Sequence, residues 1–239
     1  MKRIGSVAWK CYAFAMFFFT FLLFYPLYYP SAHIPALFRF NVKLIRFHSK
    51  LLMFLCFVKT EVVFKSPLPN EPFIVCSNHF SYLDTLFIYC AIDKHIVFMA
   101  KKELLNVPLF NIFMRRINIP VDRKNPRGSH EAFLKASKKL RMKNNLIIFP
   151  EGTIGVKIPQ LLPFKNGAFK LSVENKVPIV PVSIINSQNI LRDEDFFGEN
   201  SGSGKCTIVI HEAIFPKDED YKMENMKLKA REVISSSLN

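Results

Sequence analysis

Acidic residues are the scarce class in this chain of 239 residues. The sequence has 19 aspartates and glutamates against 33 lysines and arginines, which gives a formal net charge of +14. Such an imbalance favours anionic partners, namely nucleic acid, an acidic membrane surface or phosphorylated substrates. Hydrophobic residues make up 50% of the chain, and the count of 25 phenylalanines indicates contact with lipid or acyl chains.

Cysteine pairs with the spacing of a zinc finger or a redox motif are also missing. The five cysteines are odd in number and lie mostly within apolar runs, at positions 11, 56, 76, 90 and 206. We therefore expect reduced core thiols in a protein that faces the cytosol. A site built from Cys76, His79 and Asp84 would lack further ligands at a usual spacing, so a metal ion is not expected.

Charge is absent between Cys11 and Phe38, where residues 14–23 are almost wholly apolar. No small-x-small cleavage site follows this run, so a membrane anchor is favoured over a signal peptide. About 20 apolar residues suffice to span a bilayer. Basic residues flank the run on both sides, however, and Pro26 and Pro30 should break its helix. We therefore expect a dip into one leaflet, or a hairpin, that returns to the cytoplasmic face of the membrane.

The next segment, from Arg39 to Val58, predicts an amphipathic helix. Basic residues recur at helical spacing beside apolar ones: Arg39, Lys43, Arg46 and Lys50 beside Leu44, Phe47, Leu51, Phe54 and Leu55. That pattern suits a helix lying on anionic lipid, although a helix packed on its own domain is amphipathic too. We divide the chain into membrane-anchoring helices at residues 1–58 and an α/β domain at residues 59–239.

Beyond residue 58, short apolar runs alternate with helical patterns. Strands are predicted at 61–64, 73–76, 96–99, 117–121, 146–149, 177–185 and 205–215, and the clearest helix at 129–143. This alternation predicts an α/β fold in layers, with a largely parallel or mixed sheet flanked by helices. Ligand sites of such sheets lie beyond the carboxyl ends of the strands.

His79 and Asp84 lie at such a strand end. The run 73–76 predicts a buried strand and residues 83–92 predict a helix, so His79 falls in the turn between them. Five helical steps would leave the two side chains roughly 140° apart, so they can meet only across a turn. There, a carboxylate can bind one imidazole nitrogen and leave the other free as a base. The alternative is a buried histidine beside an aspartate that caps a helix.

Two further clusters follow strand ends. Glu151, Gly152 and Thr153 come directly after the strand predicted to end at 149, and the glycine allows a close backbone approach. Arg123 follows the strand that ends at 121, and arginine binds phosphate through two parallel hydrogen bonds. Taken singly, each cluster is also compatible with an ordinary strand-ending turn or a surface ion pair.

Together, these clusters resemble the PlsC-type glycerolipid acyltransferase family, the 1-acylglycerol-3-phosphate (lysophosphatidate) acyltransferases. The resemblance covers roughly residues 73–185, and its strength comes from several modest motifs in one order. The motifs occupy residues 78–84, 101–104, 121–123, 149–153, 162–169 and 177–182. The resemblance implies a glycerol-3-phosphate acyltransferase-like fold with amino-terminal helices at the membrane interface.

The resemblance also implies a membrane-bound enzyme that moves a fatty acyl group from acyl-CoA or acyl-carrier protein to the free hydroxyl of 1-acylglycerol-3-phosphate. His79 would be the general base and Asp84 would orient it, with no cofactor beyond the thioester donor. Backbone amides of residues 151–153 are candidates for the oxyanion contact. The residues implied in substrate binding are Asn78, Lys101, Lys102, Arg123, Glu151, Gly152, Thr153 and Lys165.

Two positions depart from the family's pattern. Ile154 stands where the family usually has an arginine, and Asn111 where it usually has a glycine. The first departure removes an expected phosphate contact, so the acceptor could instead be a head-group lysophospholipid or a lyso-aminolipid. A basic membrane- or nucleic-acid-binding protein without catalysis is the remaining alternative, but the chain lacks a known nucleic-acid recognition motif. We expect the bilayer, a lysophospholipid and the acyl donor as partners, and no nucleic acid.

Overall fold

A seven-stranded sheet lies between two layers of helices. The structure is a computed structural model of the chain. It describes residues 2–155, 157–192, 201–216 and 222–238. The strands are β1 (Val58–Phe64), β2 (Ile74–Ser77), β3 (Ile96–Lys101), β4 (Ile119–Val121), β5 (Asn145–Ile148), β6 (Ile179–Ile185) and β7 (Gly204–Ile210). The helices are α1 (Lys2–His33), α2 (Phe38–Leu55), α3 (Asp84–Ala91), α4 (Asn111–Arg116), α5 (Pro126–Arg141), α6 (Gly167–Asn175), α7 (Ser187–Ile190) and α8 (Met223–Ser236).

The sheet is mixed, with the strand order β1-β7-β6-β2-β5-β3-β4. The five strands from β6 to β4 run parallel to one another. Strand β7 is antiparallel to β6 and parallel to β1. The predicted α/β fold with a parallel or mixed sheet is thus confirmed.

Two predicted strands are shorter in the structure. The stretch predicted at 117–121 becomes a strand only at Ile119, because Ile117 directly follows α4 and is buried with Phe113 beside the amino-terminal helices. The stretch predicted at 205–215 ends as a strand at Ile210. Beyond Ile210 the chain still lies beside β6, where Ile214 forms an isolated antiparallel β-bridge with Ile179.

Strand β2 lies at the centre of the core. Its Ile74, Val75 and Cys76 are fully buried, as expected for a parallel strand covered by helices on both faces. Side chains alternate across a strand, so Val75 joins the core that contains Phe87 of α3, and Ile74 joins the core that contains Phe169 of α6. Helices α3 and α6 therefore cover opposite faces of the sheet.

The strand connections diverge between β2 and β5. These strands are parallel neighbours, yet the helix that follows β2 lies on one face and the helix that follows β5 lies on the other. In open α/β sheets such a divergence leaves a crevice at the carboxyl ends of the strands, where ligands bind. The chain segments that follow β2 and β5 are the ones that carry His79 and Glu151.

Helices α1 and α2 form a hairpin packed on the α/β domain. The expectation that Pro26 and Pro30 break the first helix is wrong, because α1 continues through both to His33. Phe21 and Tyr28 are buried against α2 and α4, and this packing opposes the cost of about 3 kcal/mol for each proline inside a helix. By length and composition, residues 3–33 could cross a membrane.

Helix α2 has two contrasting faces. Leu52 is buried in the core beneath the sheet, whereas Phe47 and Phe54 are 56% and 77% exposed. Exposed Lys43 and Lys50 alternate with these phenyl rings along the same face. The helix is therefore packed on its own domain along one side, and it presents apolar rings with cations along the other.

A buried polar contact joins the two amino-terminal helices. His48 Nε2 lies 2.7 Å from Thr20 Oγ1, and His48 Nδ1 lies 2.8 Å from the hydroxyl oxygen of Tyr28. Burial lowers the pKa of His48 to about 4, so its imidazole is neutral near pH 7. A second buried bond, from Asn41 Nδ2 to Ser31 Oγ at 2.8 Å, acts beside it. These directional contacts fix the register of α1 on α2.

Candidate active site

The side chains of His79 and Asp84 meet across the turn between β2 and α3. His79 Nδ1 lies 2.8 Å from Asp84 Oδ2. The side chain of Asp84 is fully buried, whereas that of His79 is 17% exposed. The structure thus brings together the imidazole and the carboxylate that the sequence predicts as a pair.

The same carboxylate oxygen holds the turn. Asp84 Oδ2 accepts the main-chain N–H of Phe80 at 2.7 Å and that of Ser81 at 2.8 Å. Asp84 is also the first residue of α3, where the helix dipole favours a negative charge. The main chain therefore curls around the carboxylate, which explains how two residues five positions apart come into contact.

Nε2 is the imidazole nitrogen left for chemistry. Within the described part of the chain, no group forms a hydrogen bond with it. The carboxylate on Nδ1 favours the tautomer that carries its proton there, which leaves a lone pair on Nε2. The phenyl ring of Phe149 lies parallel to the imidazole of His79, with ring centroids 4.0 Å apart and 13° between the planes. The site therefore offers a base in a defined orientation.

Glu151 joins three segments around His79. Its Oε1 accepts the main-chain N–H of His79 at 3.0 Å, and its Oε2 accepts that of Leu162 at 2.8 Å. The residue is 3% exposed, and burial raises the pKa of its carboxyl group, while these two N–H donors oppose the shift. Both carboxylate oxygens of Glu151 thus hold the main chain around the site, and its contact with substrate stays a prediction.

Asn78 is likewise engaged by the protein. Its Nδ2 donates to the carbonyl oxygen of Ile184 at 2.9 Å, and its Oδ1 accepts the N–H of the same residue at 2.8 Å. The side chain is fully buried. Asn78 therefore fixes the turn to the end of β6, and its role in substrate binding stays a prediction.

Gly152 is held in a left-handed backbone conformation, which favours glycine. Its φ is 76°, and its N–H donates to the carbonyl oxygen of Phe149 at 3.0 Å, so this amide is not available for an oxyanion. A Cβ at this position would lie 2.7 Å from Nζ of Lys165. Thr153, which follows, is exposed, and Ile154 is half-buried. Of the predicted oxyanion candidates, Thr153 is the exposed one.

Cationic side chains line the same edge of the sheet. Arg123 donates from Nη1 to the carbonyl oxygen of Gly152, and the side chain of Lys165 lies over the same glycine. Lys102 Nζ is 3.2 Å from Asp122 Oδ2, and the hydrogen bond from Lys102 lowers the pKa of that aspartate. The predicted residue Lys101 ends β3 and is exposed. The structure therefore brings Arg123 and Lys165 together, while Lys102 is paired with an acid.

The sequence analysis assigns no role to Phe149 or Gly155. Gly155 donates its N–H to the carbonyl oxygen of His79 at 2.8 Å, and a Cβ at this position would lie 3.0 Å from the ring of Phe80. The available signal was position: both residues belong to the segment after β5, the parallel neighbour of β2.

Cys76, considered above as a metal ligand, lies inside the sheet. It is fully buried within β2, and burial raises the pKa of its thiol. Across residues 2–155, 157–192, 201–216 and 222–238, no group of three or more histidines, cysteines, aspartates or glutamates is placed to hold a metal ion.

Curated relatives of the chain are named as acyltransferases. The 1-acyl-sn-glycerol-3-phosphate acyltransferase of Borreliella burgdorferi is 28% identical over 207 residues, which cover 84% of this chain and 80% of that protein. The 1-acyl-sn-glycerol-3-phosphate acyltransferase of Cocos nucifera is 37% identical over 119 residues, or 49% of this chain and 38% of that protein. The matches to the Cocos nucifera, Brassica napus and Mycoplasma pneumoniae relatives span about 38%, 52% and 53% of those proteins' lengths.

A solved structure shares the fold. The crystal structure of the 1-acyl-sn-glycerophosphate (LPA) acyltransferase PlsC from Thermotoga maritima superposes with a TM-score of 0.80 at 23% sequence identity. The superposition covers 100% of this chain and 96% of that one, so it includes the amino-terminal hairpin as well as the sheet. A family model described as Acyltransferase matches residues 59–185, more than half of the sequence. The chain therefore belongs to the acyltransferase family.

Proposed function

We propose that the chain transfers a fatty acyl group from an acyl thioester, acyl-CoA or acyl-carrier protein, to the free hydroxyl of 1-acylglycerol-3-phosphate, which gives phosphatidate. The observation that carries the proposal is the 2.8 Å contact of His79 Nδ1 with a buried carboxylate, which leaves Nε2 free at the edge of the sheet. The names of the relatives support the choice of acceptor.

The reaction begins when His79 Nε2 removes the proton from the acceptor hydroxyl. The resulting alkoxide oxygen attacks the thioester carbonyl carbon, and the new C–O bond replaces the C–S bond. The imidazolium then returns the proton to the departing sulfur. Asp84 orients the ring and stabilises its charge while the proton is held. The substrate's own oxygen is the nucleophile, so no covalent acyl-enzyme is formed.

Phosphate binding falls to the cations at the same edge. Arg123 offers a guanidinium fork suited to phosphate, and Lys165 brings a second positive charge to the same glycine. The exposed Thr153 can supply a hydroxyl or an N–H beside them. No cofactor is required, since the thioester donor carries the reactive bond.

Membrane attachment completes the proposal. Helix α1 inserts its apolar face into the cytoplasmic leaflet, and the exposed lysines and phenylalanines of α2 contact anionic lipid. The lysolipid then enters the crevice from the leaflet. We expect retention on anionic liposomes and no retention on RNA, since the positive charge serves lipid and not nucleic acid.

A second acceptor class is favoured by Ile154. An aliphatic side chain in that position cannot bind phosphate, so a head-group lysophospholipid or a lyso-aminolipid is the alternative acceptor. The transfer chemistry of His79 is the same for each of them.

The test is transfer of a radiolabelled acyl group to several lysolipids in parallel. The wild-type protein should prefer 1-acylglycerol-3-phosphate, and His79→Ala should abolish transfer while it still folds and binds liposomes. His130→Ala, at an exposed histidine of α5, is the matched control and should keep full activity. Retained activity in His79→Ala would refute the assigned base, and a clear preference for a phosphate-free acceptor would replace the proposed substrate.

A further inference from the structure

The segment after β5 holds His79 at three points. Phe149 lies flat against the imidazole, Glu151 accepts the main-chain N–H, and Gly155 donates to the main-chain carbonyl oxygen. The two main-chain bonds fix where the residue lies. They do not fix the tilt of its ring, and the single hydrogen bond from Nδ1 to Asp84 still allows the ring to tilt about that bond.

Contact with Phe149 restricts this tilt. A centroid separation of 4.0 Å is van der Waals contact, so a tilting imidazole would drive its atoms into the phenyl face. Phe149 is 8% exposed and belongs to the core that contains Val75 and Phe98, so it cannot easily move aside. The direction of Nε2 is therefore set by a side chain that forms no hydrogen bond itself.

The imidazole lies over the face of the phenyl ring, with 13° between the two planes. A cation is attracted to the face of a phenyl ring. In the proposed reaction the imidazole of His79 becomes an imidazolium, so its attraction to Phe149 grows as the proton is taken. An interaction that strengthens towards the transition state raises kcat and leaves substrate binding unchanged.

We propose that Phe149 is a positioning residue for acyl transfer, which aims Nε2 of His79 and stabilises the imidazolium through its ring face. The inference rests on the proposed function, because Phe149 acts only through the base. If Phe149 only filled space, the volume of its side chain would determine kcat. As a positioning residue, it should affect kcat mainly through its aromatic face.

Kinetics separate these two roles. Phe149→Leu removes the aromatic face, and kcat should fall roughly 3- to 10-fold with KM unchanged for both substrates. Phe149→Tyr keeps the face and should restore kcat. The matched control is Phe113→Leu, which truncates a buried ring of α4 that belongs to a different core and packs on Tyr28 at 5.0 Å. It should keep the wild-type kcat.

An NMR measurement tests the stacking of Phe149 on His79 independently of enzymatic activity. The ring current of Phe149 should shift the imidazole proton resonances of His79 upfield in the wild type and in Phe149→Tyr, and the shift should disappear in Phe149→Leu. The resonances are assigned by their loss in His79→Gln. Far-UV circular dichroism reports folding, and Phe149→Met replaces Phe149→Leu, with the same expectations, if the leucine variant does not fold.

Three results would overturn the assignment: an unchanged kcat in Phe149→Leu, a loss that Phe149→Tyr does not restore, or His79 resonances that are the same in wild type and Phe149→Leu. A wild-type protein that transfers no acyl group to any lysolipid would instead refute the proposed function, and the catalytic role of Phe149 with it. Because the resonance comparison needs no turnover, the two failures are distinguishable.

Discussion

Arg123 donates a hydrogen bond to the carbonyl oxygen of Gly152, and this bond joins the segment after β4 to the segment after β5. The two strands are not neighbours, since β3 lies between them in the sheet. The guanidinium therefore reaches past the end of β3 to the glycine. Arg123 links the two segments and places a positive charge beside Gly152, over which the side chain of Lys165 also lies.

Replacing this arginine should weaken acceptor binding. In Arg123→Ala we expect the KM for 1-acylglycerol-3-phosphate to rise roughly 10- to 100-fold, because a hydrogen bond to a charged group contributes about 1.5–3 kcal/mol. Arg123→Lys keeps the positive charge but loses the guanidinium fork, so its KM should lie between those of the wild type and Arg123→Ala. Steady-state kinetics measures both. Arg127→Ala, whose side chain is 88% exposed on α5, is the control, and an equal rise in KM there would contradict the assignment.

Loss of the carboxylate at position 84 should affect turnover more than binding. Asp84→Asn keeps the size of the side chain but disfavours the tautomer that leaves Nε2 free, so kcat should fall on the order of 10⁴-fold, as for the aspartate of a serine-protease triad. Single-turnover transfer of a labelled acyl group measures the loss. The control is Asp93→Asn, whose carboxylate is 73% exposed and paired with Arg46. Activity of Asp84→Asn within tenfold of wild type would show that the contact is only structural.

Two glycines provide a matched pair of substitutions. Gly152→Ala should destabilise the fold by about 1–2 kcal/mol, because the residue has a φ of 76° and a Cβ would lie 2.7 Å from Lys165 Nζ. Activity should fall as well, since Arg123 binds this main chain. Gly167→Ala, at the first residue of α6 with nothing within 4 Å of the added Cβ, should be neutral or stabilise by about 0.4–1 kcal/mol. Denaturant unfolding in detergent measures the difference, and equal effects at both positions would be the contrary result.

The hairpin of α1 and α2 should make stability depend on pH. Burial lowers the pKa of His48 from 6.5 to about 4, so the unfolded chain takes up a proton at a higher pH than the folded chain does. The neutral imidazole of His48 therefore makes its full contribution to the free energy of unfolding above pH 6.5. This contribution is lost as the pH falls towards 4. We expect a loss on the order of 3 kcal/mol in the free energy of unfolding.

Thermal unfolding at several pH values compares the wild type with His48→Gln, which should show a smaller loss at low pH. Burial lowers the pKa values of His95 and His211 too, so some dependence on pH should persist in that variant. The exposed His130→Gln is the control and should follow the wild type. An identical pH dependence in wild type and His48→Gln would show that the buried imidazole does not carry the effect.

The layered fold and the pair His79–Asp84 could be predicted from the sequence because both depend on local patterns. Apolar runs separated by helical periodicity predict the alternating strands, and a spacing of five residues excludes a meeting on one helix face. In the sheet, the two strands that precede His79 and Glu151 are parallel neighbours, which the sequence did not predict.

What the sequence could not show are contacts set by tertiary packing. Asn78 bonds to Ile184, a residue 106 positions away, so no local pattern distinguishes it from a substrate ligand. Pro26 and Pro30 are helix breakers by local rules, whereas α1 continues through both and packs Phe21 and Tyr28 against α4. The stack of Phe149 on His79 likewise depends on the register between β2 and β5.

Phe21 and Tyr28 of α1 pack directly on Phe113 of α4, so no loose tether separates the amino-terminal helix from the catalytic sheet. Folding of the chain consequently fixes the position and orientation of His79 relative to α1. If a bilayer holds α1, it also determines the depth at which the imidazole meets a lipid. Acceptors would then be selected partly by how far below the headgroups their hydroxyl lies, a criterion independent of any contact with the headgroup itself.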